Sequence, residues 1–201
     1  MRLLIFSGFL GSGKTTLIIA LAKRLAAAGC RTCFVVNEVG EVGIDQQVMR
    51  DGALNVWEIT SGCICCQLGS DLVATLNEIG ERFHPAVVIV EASGVATPSG
   101  VVDALVHYRG RPFAARRLIT VVDPTRLQML LEIMTPLVEA QIAQADEVVF
   151  SKLDEARAEE VNLAETTVQR LNPDVATWKI DASDERRLQP LLAHLAGDAA
   201  R

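Results

Sequence analysis

The sequence has no run of lysine or arginine, and its formal net charge at pH 7 is −6. That balance argues against nucleic acid or an acidic membrane surface as the main partner. No apolar stretch reaches the roughly 20 residues that span a bilayer, and Gly8 breaks the apolar start too early for a secretory signal. No membrane association is therefore expected, and a cytoplasmic location is. Nor does any repeat or low-complexity linker divide the chain. Five cysteines in 201 residues, three of them crowded between positions 63 and 66, make a poor disulfide framework. Metal binding or redox chemistry is the better use for them.

What is present is enough apolar material for a core. Half of the residues are hydrophobic, which suits a parallel sheet buried on both faces. The expectation is one α/β domain over residues 1–196, with a mostly parallel sheet, helices on both faces and a short tail at 197–201.

The stretch Gly8-Phe9-Leu10-Gly11-Ser12-Gly13-Lys14-Thr15-Thr16 fits G-x-x-x-x-G-K-[ST]. An apolar run over 2–7 precedes it and a helical pattern over 17–28 follows, the order a phosphate-binding loop requires. Gly8, Gly11 and Gly13 let backbone N–H groups turn toward phosphate oxygens, helped by the positive end of the helix. Lys14 supplies a charge for the terminal phosphates, and Thr15 a hydroxyl for Mg²⁺. The fold expected is that of a P-loop NTPase.

A second strand over 32–36 runs into an acidic, glycine-punctuated loop, 37–45. Glu38, Glu41 and Asp45 there could reach Mg²⁺, another metal or the nucleotide, or form a solvated turn. Cys30 and Cys33 share the Cys-x-x-Cys spacing, but Cys33 falls inside the apolar strand, so packing is the better reading of that pair. After a strand over 54–59 comes Gly62-Cys63-Ile64-Cys65-Cys66. Three thiols within four residues can give two or three thiolates to one ion such as Zn²⁺. Packed cysteines, or a redox pair at Cys65 and Cys66, are the alternatives.

A helix over 70–83 leads to the most apolar strand, 85–91, which ends in Glu91-Ala92-Ser93-Gly94. Glu91 should lie beside the phosphate loop and hold the Mg²⁺ water shell or position attacking water, while the Gly94 N–H senses a γ-phosphate. Asp123, at the end of the strand over 117–123, competes for the role of Glu91. Helical patterning over 124–145 and a strand over 146–150 lead to Ser151-Lys152-Leu153-Asp154, a variant of Asn-Lys-x-Asp. A carboxylate at Asp154 can accept two N–H bonds from guanine, and the Lys152 stem can pack over the base; N-capping of the next helix by Asp154 is the plain alternative. Ser151 stands where the asparagine would be and lacks the amide that braces that loop. A helix over 155–171, a strand over 175–180 and a helix over 185–195 complete the expected sheet.

Gly8 to Thr16, Asn37 to Asp45, Gly62 to Cys66, Glu91 to Gly94 and Gln141 to Asp154, in this order, resemble the CobW/HypB/UreG family of metal-handling GTPases, its CobW branch most closely. The resemblance implies a Mg²⁺-dependent GTPase that couples GTP and GDP states to binding and delivery of a transition metal, Zn²⁺ with Co²⁺ or Ni²⁺ open. It implies Cys63, Cys65 and Cys66 as ligands, with Glu41 able to join them. Lys14 and Thr15 would hold phosphate and Mg²⁺, Lys152 and Asp154 would read the base, and Glu91 would be the family's acid. It also implies a client apo-metalloprotein and a nucleotide- or metal-dependent homodimer. The alternative function is a nucleotide-switched assembly factor for a client metalloprotein, with structural zinc or redox cysteines. Members usually carry a further carboxyl-terminal domain, whereas this sequence covers the GTPase domain. With only His84, His107 and His194 there is no histidine tract for metal storage.

Overall fold

The structure, a computed structural model, describes residues 1–36, 54–58, 68–94, 97–181 and 184–197. Its strands are β1 (Arg2–Ser7), β2 (Thr32–Val36), β3 (Leu54–Glu58), β4 (Val87–Glu91), β5 (Ala115–Val122), β6 (Glu147–Phe150) and β7 (Ala176–Lys179). The helices are α1 (Lys14–Ala27), α2 (Leu68–Arg82), α3 (Pro98–Ala104), α4 (Pro124–Ala143), α5 (Ala158–Leu171) and α6 (Glu185–Ala196). One seven-stranded sheet runs in the order β3-β2-β4-β1-β5-β6-β7. Every strand pair in it is parallel.

Alternation along the central strands builds two faces. Leu4, Phe6, Ile89, Ile119 and Val121 point to one side, where Leu17, Leu21 and Leu25 of α1 and Leu191 and Leu195 of α6 cover them. Leu3, Ile5, Val88 and Val90 point to the other, against Leu76 and Ile79 of α2. On that second face, Val122, Val148 and Phe150 meet Leu127 and Ile142 of α4 and Val168 of α5. With both faces covered, β4 reads as an unbroken apolar run ending in one acid, as buried parallel strands do. Cys30 and Cys33, both buried, fall into the two opposite clusters. Burial pushes the Cys33 thiol up to about 11, so this pair is packing and not a chelate.

Several boundaries differ from the sequence expectation, for local reasons. α1 begins at Lys14, inside the motif, because the glycine loop ends in the left-handed Gly13 that serves as its N-cap. α3 was not expected; Thr97-Pro98 starts it, with proline in the first turn where a missing N–H costs nothing. α4 is kinked at Met134, with φ −135° and ψ 39°, two residues before Pro136, whose ring cannot continue the regular helix. α5 begins at Ala158 with Arg157 as N-cap, whose N–H donates to the Glu160 carboxylate at 2.9 Å. Asp154 is exposed in the preceding turn and does not cap α5.

At the amino end of the sheet, Glu147 is 3 % exposed at the start of β6. Its carboxylate accepts from Trp178 Nε1 at 2.8 Å, lies 3.0 Å from His194 Nε2 and pairs with the Arg117 guanidinium. The His194 and Trp178 rings stack with centroids 4.9 Å apart. This ring of contacts ties β5, β6, β7 and α6 together.

Candidate nucleotide site

The first strand sits between β4 and β5, so the chain leaves β1 toward one side of the sheet and returns later to build the other. Ligands of such sheets bind where the strand order reverses, outside the carboxyl ends of the strands. Here the ends of β4, β1, β5 and β6 lie side by side, and they carry Glu91, the glycine loop, Asp123 and Ser151.

Gly8, Gly11 and Gly13 take φ of 130°, 75° and 91°. At Gly8 the constraint is spatial as well, since a Cβ there would lie 2.2 Å from the Val121 carbonyl oxygen of β5. The loop closes with a Ser12 N–H to Phe9 carbonyl bond of 3.1 Å, and the Lys14 ammonium, buried at 4 % exposure, donates to the same carbonyl at 3.1 Å. The Ser12 hydroxyl is buried and has no hydrogen-bond partner among the described residues. A buried polar atom without a partner costs stability unless a ligand meets it, so a cradle of this kind fits a phosphate. Thr16 lies exposed in the first turn of α1.

Glu91 ends β4 opposite Phe6 of β1 and is 3 % exposed. The Thr15 hydroxyl donates to Glu91 Oε1 at 2.7 Å. Hydroxyl and carboxylate oxygens side by side under a phosphate cradle are the hard donors that Mg²⁺ takes. Gly94 follows closely, and a Cβ on it would lie 2.7 Å from the Leu10 N–H nitrogen, so only glycine lets the loop after β4 touch the phosphate loop. Gln141 of α4 holds that loop by donating to the Gly94 carbonyl at 3.2 Å, while Thr120 donates to the Gln141 carbonyl at 2.7 Å.

Asp123, the competing acid, is engaged differently. Its Oδ1 accepts from the Thr125 N–H at 3.0 Å and the Thr125 hydroxyl at 2.7 Å, capping α4, and Oδ2 lies 3.1 Å from the Lys152 ammonium. Lys152 itself has φ 51°, a left-handed conformation uncommon outside glycine. Ser151 follows β6 directly; its hydroxyl donates to the Ser12 carbonyl at 2.6 Å, across 139 residues of sequence. The geometry therefore brings together Gly8, Gly11, Ser12, Gly13, Lys14, Thr15, Glu91 and Gly94, with Lys152 linked to them through Asp123. Asp45, Glu41, Cys63, Cys65 and Cys66 lie outside the described residues.

Two participants were not foreseen. Arg126 of α4 donates to the Leu10 carbonyl at 3.0 Å, and its guanidinium would sit 3.1 Å from a Cβ on Gly11. Its signal in the sequence is slight: a basic residue in the first turn of a helix that starts at the same sheet edge. The second is the Ser151 bridge, which sequence reasoning took for a lost brace. A small cavity of about 20 Å³, enough for the centre of one water molecule, lies behind the loop between Phe9, Ser12, Asp123, Arg126 and Gln141.

The CobW/HypB/UreG, nucleotide-binding domain profile matches residues 2–179. The zinc chaperone YeiR of Escherichia coli is 31 % identical over 156 residues, covering 77 % of this chain and 47 % of its own length. In structure, the hydrogenase maturation factor HypB from Archaeoglobus fulgidus superposes with a TM-score of 0.72 at 16 % identity, over 99 % of this chain and 90 % of that one. The Zn(II)-bound YjiA GTPase from E. coli gives 0.64 at 21 % identity, over 94 % and 60 %. The two structures speak for the P-loop fold alone, and the chain spans about half the length of the relative YeiR. With its phosphate loop and the acid beside it in one crevice, and with the nucleotide-binding domain matched over residues 2–179, the chain belongs to the CobW/HypB/UreG family.

Proposed function

We propose that this protein is a Mg²⁺-dependent GTPase whose nucleotide state governs the binding of a transition metal, Zn²⁺ first, and its delivery to a client apo-metalloprotein. The observation that carries the hydrolytic half is the 2.7 Å bond from Thr15 to Glu91 beneath the glycine loop. Bound Mg²⁺ would supply charge neutralisation between the phosphates. The chain's own groups do the rest. The loop N–H groups and Lys14 would hold phosphate oxygens. Thr15 would offer its hydroxyl oxygen to the cation, and Glu91 would orient water. Gly94, whose missing Cβ lets its loop approach Leu10, would offer its N–H to a terminal phosphate, and the exposed Asp154 carboxylate would take the donor edge of guanine.

Metal is the cargo in this reading, held by Cys63, Cys65 and Cys66 with Glu41 as a further ligand. The names of relatives support it: zinc chaperones in bacteria, and in Schizosaccharomyces pombe a zinc-regulated GTPase metalloprotein activator that is 26 % identical over 179 residues. A homodimer formed in one nucleotide state is part of the same proposal. The test is phosphate release from GTP and from ATP by the purified chain, with Mg²⁺ and with EDTA. Mg²⁺-dependent release that is faster with GTP supports the reading. Faster ATP turnover would instead point to an ATP-using activator.

A further inference from the structure

Where the motif Asn-Lys-x-Asp would carry an amide, this chain carries a hydroxyl, and the structure shows where that hydroxyl goes. Ser151 is 5 % exposed. Its Oγ lies 2.6 Å from the Ser12 carbonyl and 3.2 Å from the Val122 carbonyl. A hydroxyl has one hydrogen to donate, and both neighbours are acceptors, so that hydrogen is held within the protein. The Ser151 backbone N–H is held too, by the Val122 carbonyl at 3.0 Å. Gly13 lies beside it: a Cβ there would be in ordinary van der Waals contact, 3.7 Å from both Ser151 Cβ and Oγ. The loop that follows β6 is therefore fastened to the phosphate loop at one point, and residue 151 has no hydrogen left to give a ligand.

That has a consequence for base reading. N7 is an acceptor on both guanine and adenine, whereas the amine and N1–H of guanine are donors. An acceptor needs a donor, and Ser151 can offer one only by abandoning Ser12. We propose that Ser151 is a positioning residue that clamps the base-reading loop to the phosphate loop, leaving purine N7 unread, so that discrimination runs through the Asp154 carboxylate at the donor edge. This rests on the base-reading role proposed above for Asp154. Ser151 thus restores mechanically, through a shorter side chain, the brace that loss of the asparagine removed.

The test compares dissociation constants of GDP, 7-deaza-GDP, inosine diphosphate and ADP by calorimetry, for the full chain and for S151A and S151T. In 7-deaza-GDP a C–H replaces N7, and inosine lacks the exocyclic amine. The expected result is 7-deaza-GDP within about twofold of GDP and inosine diphosphate weaker by about tenfold, the scale of one hydrogen bond to a charged group. S151A should weaken GDP and 7-deaza-GDP by the same factor, and S151T, which keeps the hydroxyl, should recover the affinity. A tenfold or larger loss with 7-deaza-GDP on the unaltered chain overturns the inference, and needs no variant to fold. Equal binding of GDP and ADP removes the base-reading role itself, an outcome recognisable because all four ligands then bind alike.

Discussion

The two ends of the sheet use the same materials to opposite purposes. Each holds a carboxylate that is 3 % exposed, Glu91 at the carboxyl end of β4 and Glu147 at the amino end of β6. Glu147 meets a guanidinium, an imidazole and an indole N–H, groups fixed by two strands and a helix. Glu91 meets the hydroxyl of Thr15, on the first turn of the helix that follows the phosphate loop. A hydroxyl can turn its oxygen to a cation, whereas a carboxylate paired with a guanidinium and held by an indole N–H has nothing to gain from a ligand. Burial alone therefore does not distinguish the two acids; the proposed role of Glu91 rests on its place beside the phosphate loop and Thr15.

Lys14→Ala should lower GTP affinity and turnover by about 10²- to 10³-fold, the scale on which one preorganised charged donor acts, while unfolding remains cooperative in a thermal melt. Glu91→Gln keeps the shape and removes the charge. Turnover should fall about 100-fold, with GDP affinity in EDTA nearly unchanged; a parallel fall in both would mean that Glu91 supports the fold and not the reaction.

Glu147→Ala should do the reverse. It should cost about 2 kcal/mol in denaturant unfolding, less than a fully buried pair would, because Arg117 and His194 are partly exposed and can regain water. The KM for GTP should not move. Smallest of all is the effect at Cys33, whose thiol is pushed up to about 11 from 9.0 by burial. The folded chain holds this proton more tightly than the unfolded one, so the associated stability is intact below pH 9 and declines between about 9 and 11. At pH 7.5 iodoacetamide should spare Cys33 in the folded protein and label it in urea.

The carboxyl end of the sheet was largely legible in the sequence because its chemistry is local. Gly8 to Thr16 announce a loop through spacing alone, and the apolar run of β4 stops at Glu91 where its strand must leave the core. What escaped depends on contacts far apart in the chain. The Ser151 to Ser12 bond joins residues that only the β1, β5, β6 neighbourhood brings together, and the same holds for Arg126 and the Leu10 carbonyl. The Glu147 ring escaped as well, since no spacing in the sequence relates Arg117, Trp178 and His194. Short elements failed for a different reason: seven residues of α3 show too little periodicity, and the Thr97-Pro98 start signal is easily passed over. The Glu41, Asp45 and cysteine assignments fall outside the described residues and stand on the sequence.

In the function proposed, nucleotide state and metal affinity are coupled. The most direct measurement is a titration of the apo-protein with Co²⁺, followed by thiolate-to-cobalt absorption, without nucleotide, with GDP and with a non-hydrolysable GTP analogue, alongside Cys66→Ser. The account predicts an affinity that changes with the nucleotide, and loss of the absorption in Cys66→Ser with GTP binding retained. The same cobalt affinity in all three states would contradict it and reduce the metal to a structural role.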